Sequence, residues 1–396
     1  MKIQVTTQYF YPDNFIINSI VKELVHMGHE VHVLTGQPDY ATGNVPQAYR
    51  RFRKRREELF GAQVRRCAVF ARRHGVVCRA LNYFTYMINS SAVALFSKKN
   101  SCDCIFVYET SPIFQALPGI VYKKKTGKKL VLYCCDLWPE SLKAWNIKED
   151  SILFGIVKRF SSWLYRQCDI VLITSKPFRD YLIGVCGVQE ERIVYLPQFA
   201  EDIFHEIACQ YEDNGVFDFL FAGNIGSVQG VDGILRAVKL IETDKPFRVH
   251  IIGDGSELQK LKALCEELSL EDRVVFHGRH PVEAMPGFYR MADSFLLTLS
   301  SDSFIGMTLP SKTQGYMSAG KAVVAAIGGA AAEVLEDAGC GLVSQPGDFE
   351  ALAKNMQRII EGQVNIRQLG ERAREYYLKN FTKNIFMDKL IGIFQE

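Results

Sequence analysis

Apolar positions recur along this chain in short, nearly uninterrupted runs separated by stretches of helical period. Lys2–Thr7 predicts a strand, Phe15–Met27 an amphipathic helix closed by Gly28, and Glu30–Thr35 the next strand. CIFVY (104–108), KLVLYC (129–134) and DIVLITS (169–175) continue the alternation. Runs without a polar side suit strands buried on both faces, as in a parallel sheet covered by helices. The mixed segment PQFAEDIFHEIACQYEDNG (197–215) breaks the rhythm and predicts an interdomain connection. Six further strands then follow: FDFLFAG (217–223), RVHIIG (248–253), RVVFHG (273–278), DSFLLTL (293–299), KAVVAAIGG (321–329) and GLVSQPGD (341–348). From Phe349 to Glu396 the period is helical, and the last piece, NIFMDKLIGIF, is apolar on one side. The expected class is therefore α/β, with two doubly wound, Rossmann-like domains. A length of 396 residues is itself too great for one ordinary core. Ligands of such sheets bind outside the carboxyl ends of the strands, so the expected site lies in the cleft between the halves.

Composition narrows the class. Hydrophobic content of 48% with 23% charged residues excludes a disordered or fibrous chain. The eleven cysteines are odd in number and irregularly spaced, which favours buried thiols over a disulfide or zinc framework. The chain opens on a strand and turn rather than a basic, then apolar, leader, so no signal peptide is expected. No apolar run reaches the length of a spanning helix; the nearest, Leu81 to Phe96, is broken by Asn82, Asn89, Ser90 and Ser91.

Charge is unevenly spread. Between Tyr49 and Arg79 eleven Lys/Arg face only Glu57 and Glu58, a net +9 in a chain of net +3. A solvated, mobile basic loop explains such a run as well as a docking surface for anionic lipid or a phosphorylated acceptor does. Arg50, Arg51, Arg53, Arg55, Arg56, Arg72 and Arg73 would carry the second role. Nucleic acid fits less well, because no aromatic-studded binding module accompanies the charge.

Four segments of the C-terminal half can carry chemistry. In FAGNIGSVQG (221–230) a strand enters a turn with Gly223, Gly226 and Gly230, where backbone can approach a diphosphate at a helix start. IIGDGSELQKL (251–261) repeats the theme with Gly253, Asp254 and Gly255. HGRHPVEAMPGFYRMAD (277–293) sets His277, Gly278 and Arg279 at a strand end ahead of Met285. TLPSKTQGYMSAGKAV (308–323) offers Thr308 and Ser311 as caps, Pro310 after Leu309 as a residue suited to a first helical turn, and a Gly-Lys pair at its close. Each alone is as easily an ordinary βα turn. Lys312 is the sharper signal, since a cation in a first helical turn opposes the macrodipole unless an anion sits nearby. All four follow successive strands, so they should line one rim.

Taken in order, AGNIGSVQG, the GDG turn, FHGR and PSKTQGYMSAGK resemble the retaining family 4 glycosyltransferases of the GT-B fold. YFYPDN (9–14), GHEVHVLTGQPDYATG (28–43) and DLWPESLKAW (136–145) extend the resemblance over nearly the whole chain, to the WbuB-like members that build O-antigen and capsule. The resemblance implies an N-terminal acceptor domain over 1–200, with the basic segment 49–79 and a helix over 81–97. It implies a donor domain over 201–376 and a final helix, 377–396, that crosses back. A nucleotide-sugar, expected to be UDP-linked and N-acetylated or deoxy, would be bound by Gly223, Asn224, Gly226, Gln229, Gly253–Gly255, His277–Arg279, Met285 and Thr308–Lys312. The acceptor would be a polyprenyl-diphosphate-linked glycan, and the enzyme would sit peripherally on the cytoplasmic face of the plasma membrane. No cofactor and no metal are expected, and no Asp-x-Asp pair is present to hold a metal.

The sequence also departs from the family pattern. Where an Arg and a Lys are usual it has Asn224 and Gln229, and where two glutamates are usual it has Met307 and Gly315. Asn224 and Gln229 can still donate amide hydrogens, and Lys312 supplies the positive charge; these three with Asp136 form the expected catalytic set. Asp136 either accepts hydrogen bonds from sugar hydroxyls or caps the helix that Pro139 starts. Two other activities fit the same fold: a UDP-sugar epimerase, and a non-catalytic nucleotide-sugar binder.

Overall fold

The computed structural model describes residues 1–396 except 41, 74, 98–101, 146, 213 and 302–305, and leaves out the side chains at 52 and 144. The chain divides into two compact units, Met1–Leu196 with Met387–Glu396, and Pro197–Phe386. Unit 1 holds an eight-stranded sheet made of β1 (Lys2–Thr6), β2 (Glu30–Gly36), β3 (Arg56–Leu59), β4 (Ala62–Cys67), β5 (Cys104–Glu109), β6 (Lys129–Cys134), β7 (Ile170–Ile173) and β8 (Ile193–Tyr195). Its order is β3-β4-β2-β1-β5-β6-β7-β8, parallel except for the β3–β4 hairpin. Unit 2 holds β9 (Phe217–Ala222), β10 (Phe247–Ile252), β11 (Val274–Gly278), β12 (Ser294–Thr298), β13 (Ala322–Ala326) and β14 (Gly341–Ser344), in the order β11-β10-β9-β12-β13-β14. Both are doubly wound α/β sheets, as the apolar runs predict.

The alternation along β9 shows why those runs lack a polar side. Phe219 and Phe221 enter one core with Val249, Ile251 and Leu296, while Leu220 and Ala222 enter the other with Phe295, Tyr316 and Leu335. Both faces are buried, so both phases of the strand must be apolar. The last helix, Lys383–Gln395, begins in unit 2 and ends in unit 1. There Phe394 packs edge-on against Phe106 (5.4 Å), and Lys129 donates to the Ile393 carbonyl at 2.7 Å.

Three strands escape the apolar pattern, one of them β8, which is only the three residues IVY. β3 (REEL) and β4 (AQVRRC) lie inside the basic segment and form an edge hairpin that carries Arg56, Arg65 and Arg66. Its Arg66 is buried and paired with Glu57 at 2.6 Å. Arg50, Arg51, Arg53, Arg55, Arg56 and Arg73 remain exposed, whereas Arg72 is half-buried with its guanidinium 4.6 Å from the Tyr40 ring centre. All eleven cysteines are free thiols. Among the described residues no helix is long and apolar enough to cross a membrane.

Candidate functional site

Strands β9 and β10 run in register to their ends, Ala222 opposite Ile252, which sets the first two glycine turns side by side. The turns are then laced together. Gly223 donates its amide to the Ile252 carbonyl, and Ile225 to that of Asp254, each at 2.9 Å. Gly253 and Gly255 are required by this approach: a Cβ would fall 1.8 Å from the Gly223 oxygen and 2.2 Å from the Ile225 oxygen, respectively. The Gly253 amide reaches the Gly278 carbonyl at 2.9 Å, so the third turn joins the same rim. Asp254 turns its carboxylate back onto the Gly255 amide at 2.8 Å.

The fourth segment supplies the charge. Its helix is Ser311–Ser318, and the N-cap is Pro310 with no side-chain bond, so neither Thr308 nor Ser311 caps it. Lys312 folds back under the first turn, with its Nζ donating to Gln229 Oε1 at 2.5 Å and 4.2 Å from the Phe221 ring centre. A Cβ on Gly223 would meet that Nζ at 3.1 Å. Part of the lysine's side chain stays accessible, but the amine itself is enclosed, and desolvation pushes its pKa down to about 7. No carboxylate pairs with it among the described residues. A buried amine without a counter-ion is expensive, and an anion delivered to the rim would relieve the cost. Lys321, the other lysine of the segment, is structural: its Nζ donates to the carbonyls of Arg290 (2.8 Å) and Ala292.

The missing acids have a local explanation at one of the two positions. A side chain at Gly315 would start 3.6 Å from the Tyr289 hydroxyl and 4.0 Å from Phe204, on the packed side of the helix. These are ordinary contact distances, so space does not demand glycine; it is the carboxylate of a longer side chain that would be carried into the packed core. For Met307 the structure gives no comparable reason.

Several expected residues do not meet in this cluster. Arg279 is exposed on the loop after β11, Thr308 is half-buried, and Met285 packs with Phe288 against the core beneath. His277 is held by a chain that sequence reasoning missed. Its Nε2 lies 2.8 Å from His250 Nδ1, and His250 Nε2 lies 3.0 Å from Asp218 Oδ1. An Asp218 carboxylate can only accept, so His250 donates from Nε2; with a neutral His250 ring, Nδ1 then accepts from His277 Nε2, and with a protonated ring it donates to it. Burial, and the nearby His250 and His280, lower the His277 pKa and keep that ring neutral. Asp136 lies in unit 1, where Ser141 Oγ donates to its Oδ1 at 2.6 Å and burial raises its pKa. The segment it precedes, Glu140–Trp145, is a 3₁₀ turn rather than an α-helix, so Asp136 braces the turn through Ser141. Glu109, which ends β5, is fully buried beside it, and burial first and the Asp136 charge second raise its pKa. Neither Glu109 oxygen has a well-formed hydrogen bond; the Cys134 thiol and Asp136 amide are the polar groups near it.

Comparison with known proteins decides the family. Residues 16–201 match the Glycosyltransferase Family 4 profile and residues 207–376 match Glycosyl transferases group 1. The chain belongs to the GT-B glycosyltransferases. It is 27% identical to a protein named as glycosyltransferase WbjE of Pseudomonas aeruginosa, over 75% of this chain and 76% of that one. It is 23% identical to one named for colanic acid biosynthesis, glycosyl transferase WcaI of Escherichia coli, over 92% and 94%. Among solved structures, HepE of Anabaena in complex with UDP superposes with a TM-score of 0.73 at 15% identity, covering 100% of both chains. At that identity the likeness shows the fold alone.

Proposed function

We propose that this glycosyltransferase is a retaining, WbuB-like enzyme that moves a sugar from a UDP-sugar to a lipid-linked acceptor during assembly of a bacterial surface polysaccharide. The observation that carries the reading is the Lys312 amine, enclosed beneath the Gly223 turn where, among the described residues, it meets Gln229 and Phe221 and no carboxylate. In this reading the donor diphosphate lies over the three laced glycine turns. Lys312 and the amide of Gln229 meet the charge that grows on the leaving phosphate. A metal has no necessary part in this scheme, and the phosphate oxygen itself takes the acceptor proton. The complex of HepE with UDP, and the polysaccharide role in the name of WcaI, support the donor and pathway class.

A lipid-linked acceptor places the enzyme at a bilayer, and unit 1 is suited to one. Its helix Val76–Phe96 buries Asn82, Tyr83, Tyr86, Ser90 and Ala94 and leaves a large apolar set exposed, with Val77, Leu81, Phe84, Ile88, Leu95 and Phe96 open to solvent. Ile152, Leu153 and Ile156 are exposed at the start of the helix Ile152–Gln167. Unit 1 carries 29 Lys/Arg against 18 Asp/Glu.

The deciding assay supplies a panel of UDP-sugars with and without polyprenyl-diphosphate-linked glycans and follows UDP release and product mass. Release only with acceptor, and a product that keeps the donor's anomeric configuration by NMR, is the expected result. Conversion of the donor without acceptor would mark an epimerase, and binding without turnover a non-catalytic binder. Turnover that survives EDTA is expected; its loss on chelation would overturn the metal-free scheme.

A further inference from the structure

The side-chain row that ends on His277 lies where the backbone ladder fails. β11 is the edge strand of the unit 2 sheet, so its end is held by β10 alone. Their register runs Val249–Val274, His250–Val275 and Ile251–Phe276, then skips to Ile252–Gly278. His277 is therefore the extra residue of a β-bulge, left out of the ladder. Directly after it Gly278 takes φ +72° and gives its carbonyl to the Gly253 amide, the bond that brings the third turn onto the rim. A bulge on an edge strand bends the backbone and removes a ladder bond, so the turn beyond it needs another hold.

Side chains supply that hold. Asp218 and His250, 0% and 4% exposed, share the sheet face that carries Leu220 and Ile252 into the core. Charge at such positions is costly, and apolar side chains would close the same face without that cost. The row is nonetheless satisfied along its length. Asp218 accepts from Asn214 Nδ2 (2.8 Å) and His250 Nε2 (3.0 Å), and Arg248 Nε lies 3.2 Å from it. Its outer end is the 2.8 Å bond between the His250 and His277 rings. His277 is gripped from the other side as well: His280 Nε2 donates to its carbonyl (3.2 Å), and both rings rest on Phe288 of the helix Met285–Met291, with centres 5.1 and 4.8 Å away. A polar row that starts in the core and ends on a residue the ladder omits serves that residue, not the core. We infer that Asp218 and His250 are positioning residues: they fix His277 in the bulge, and with it the Gly278 carbonyl that sets the second and third glycine turns against each other. That the donor lies on these turns rests on the proposed function; the brace itself does not.

The test compares His250→Leu, which fills the buried position without a polar atom, with His250→Gln, whose amide can accept from His277 and donate to Asp218. Amide hydrogen exchange of the full-length, ligand-free chain is read by NMR at Gly253, bonded to Gly278, and at Gly223, bonded to Ile252. His250→Leu should lower protection at Gly253 about tenfold and leave Gly223 unchanged, and His250→Gln should restore Gly253 to within about threefold of wild type. UDP affinity by calorimetry should follow Gly253, and in turnover the donor KM should rise in His250→Leu at an unchanged kcat. Asp218→Asn combined with His250→Leu removes the carboxylate that the single substitution strands, and is read in the same way if that one fails to fold. Protection at Gly253 that does not fall, that falls equally at Gly223, or that glutamine fails to restore overturns the positioning role. Lower protection with UDP affinity unchanged supports the brace and overturns the placing of the donor on this turn. UDP binding absent from the wild type, with Gly253 still dependent on His250, overturns the UDP-donor reading and leaves the brace standing.

Discussion

If Lys312 meets the donor phosphates as proposed, it trades stability for ligand affinity, and the trade has a sign that can be worked out. Its amine titrates near pH 7 in the folded protein and near 10.5 when unfolded. Between those values the unfolded chain binds more protons, so the lysine's penalty is fully present below pH 7 and fades as pH rises toward 10.5. Lys312→Met should therefore raise the melting temperature at pH 6 and lose that advantage by about pH 10, which thermal scans across pH would show. Donor binding runs the other way. A UDP-sugar diphosphate carries fixed charge in this range and favours the protonated amine. Wild-type affinity should fall above pH 7 by up to about tenfold per pH unit until the complex itself deprotonates. Calorimetry in buffers of different ionisation enthalpy should show proton uptake in the wild type and none in Lys312→Met. An affinity independent of pH in the wild type would remove Lys312 from the donor site.

Individual turns and strands differ in how plainly they stand in the sequence. Eleven of the fourteen strands are legible from their apolar runs, which burial on both faces demands of the central ones. β3, β4 and β8 are not, since REEL and AQVRRC carry the charges of a sheet edge and IVY is three residues long. The glycine turns are visible as turns, but their lacing follows from the β9–β10 register, which no local pattern states. The same register joins Asp218 to His250, 32 residues apart, into the chain that holds His277. Glycines of one domain can accordingly be ranked. Gly253→Ala faces φ near +145° and a backbone oxygen 1.8 Å from the new methyl, so the strained backbone alone should cost about 1–3 kcal/mol, with more from the clash. Gly233, inside the helix Val231–Leu240 with nothing within 4 Å, should instead gain about 0.5–1 kcal/mol as alanine. Denaturant midpoints of the two variants should move in opposite directions.

Charge separates the two units more sharply than the whole-chain value suggests. Unit 1, with 29 basic and 18 acidic residues, is net +11, and unit 2 takes up the balance of a chain that is only +3. Attraction to an anionic bilayer would thus act on the unit that also exposes the Val77–Ile88 stripe. Two contributions of different range follow. Each basic residue near the surface contributes about 1 kcal/mol and is screened within about 10 Å at 0.1 M salt. The apolar stripe is insensitive to salt and acts only on contact. Flotation with phosphatidylglycerol vesicles should therefore show strong binding at low salt and a weaker remainder at 0.5 M. Neutralising Arg50, Arg51, Arg53, Arg55 and Arg56, whose side chains are exposed, should weaken the salt-sensitive part. Ile88→Asp should remove the remainder, placing a charge at a position 61% exposed in the middle of the stripe. If neutral vesicles bind as well as anionic ones at low salt, the +11 surface has no lipid role. If Ile88→Asp leaves the high-salt remainder intact, the exposed side chains of the helix Val76–Phe96 face something other than a bilayer.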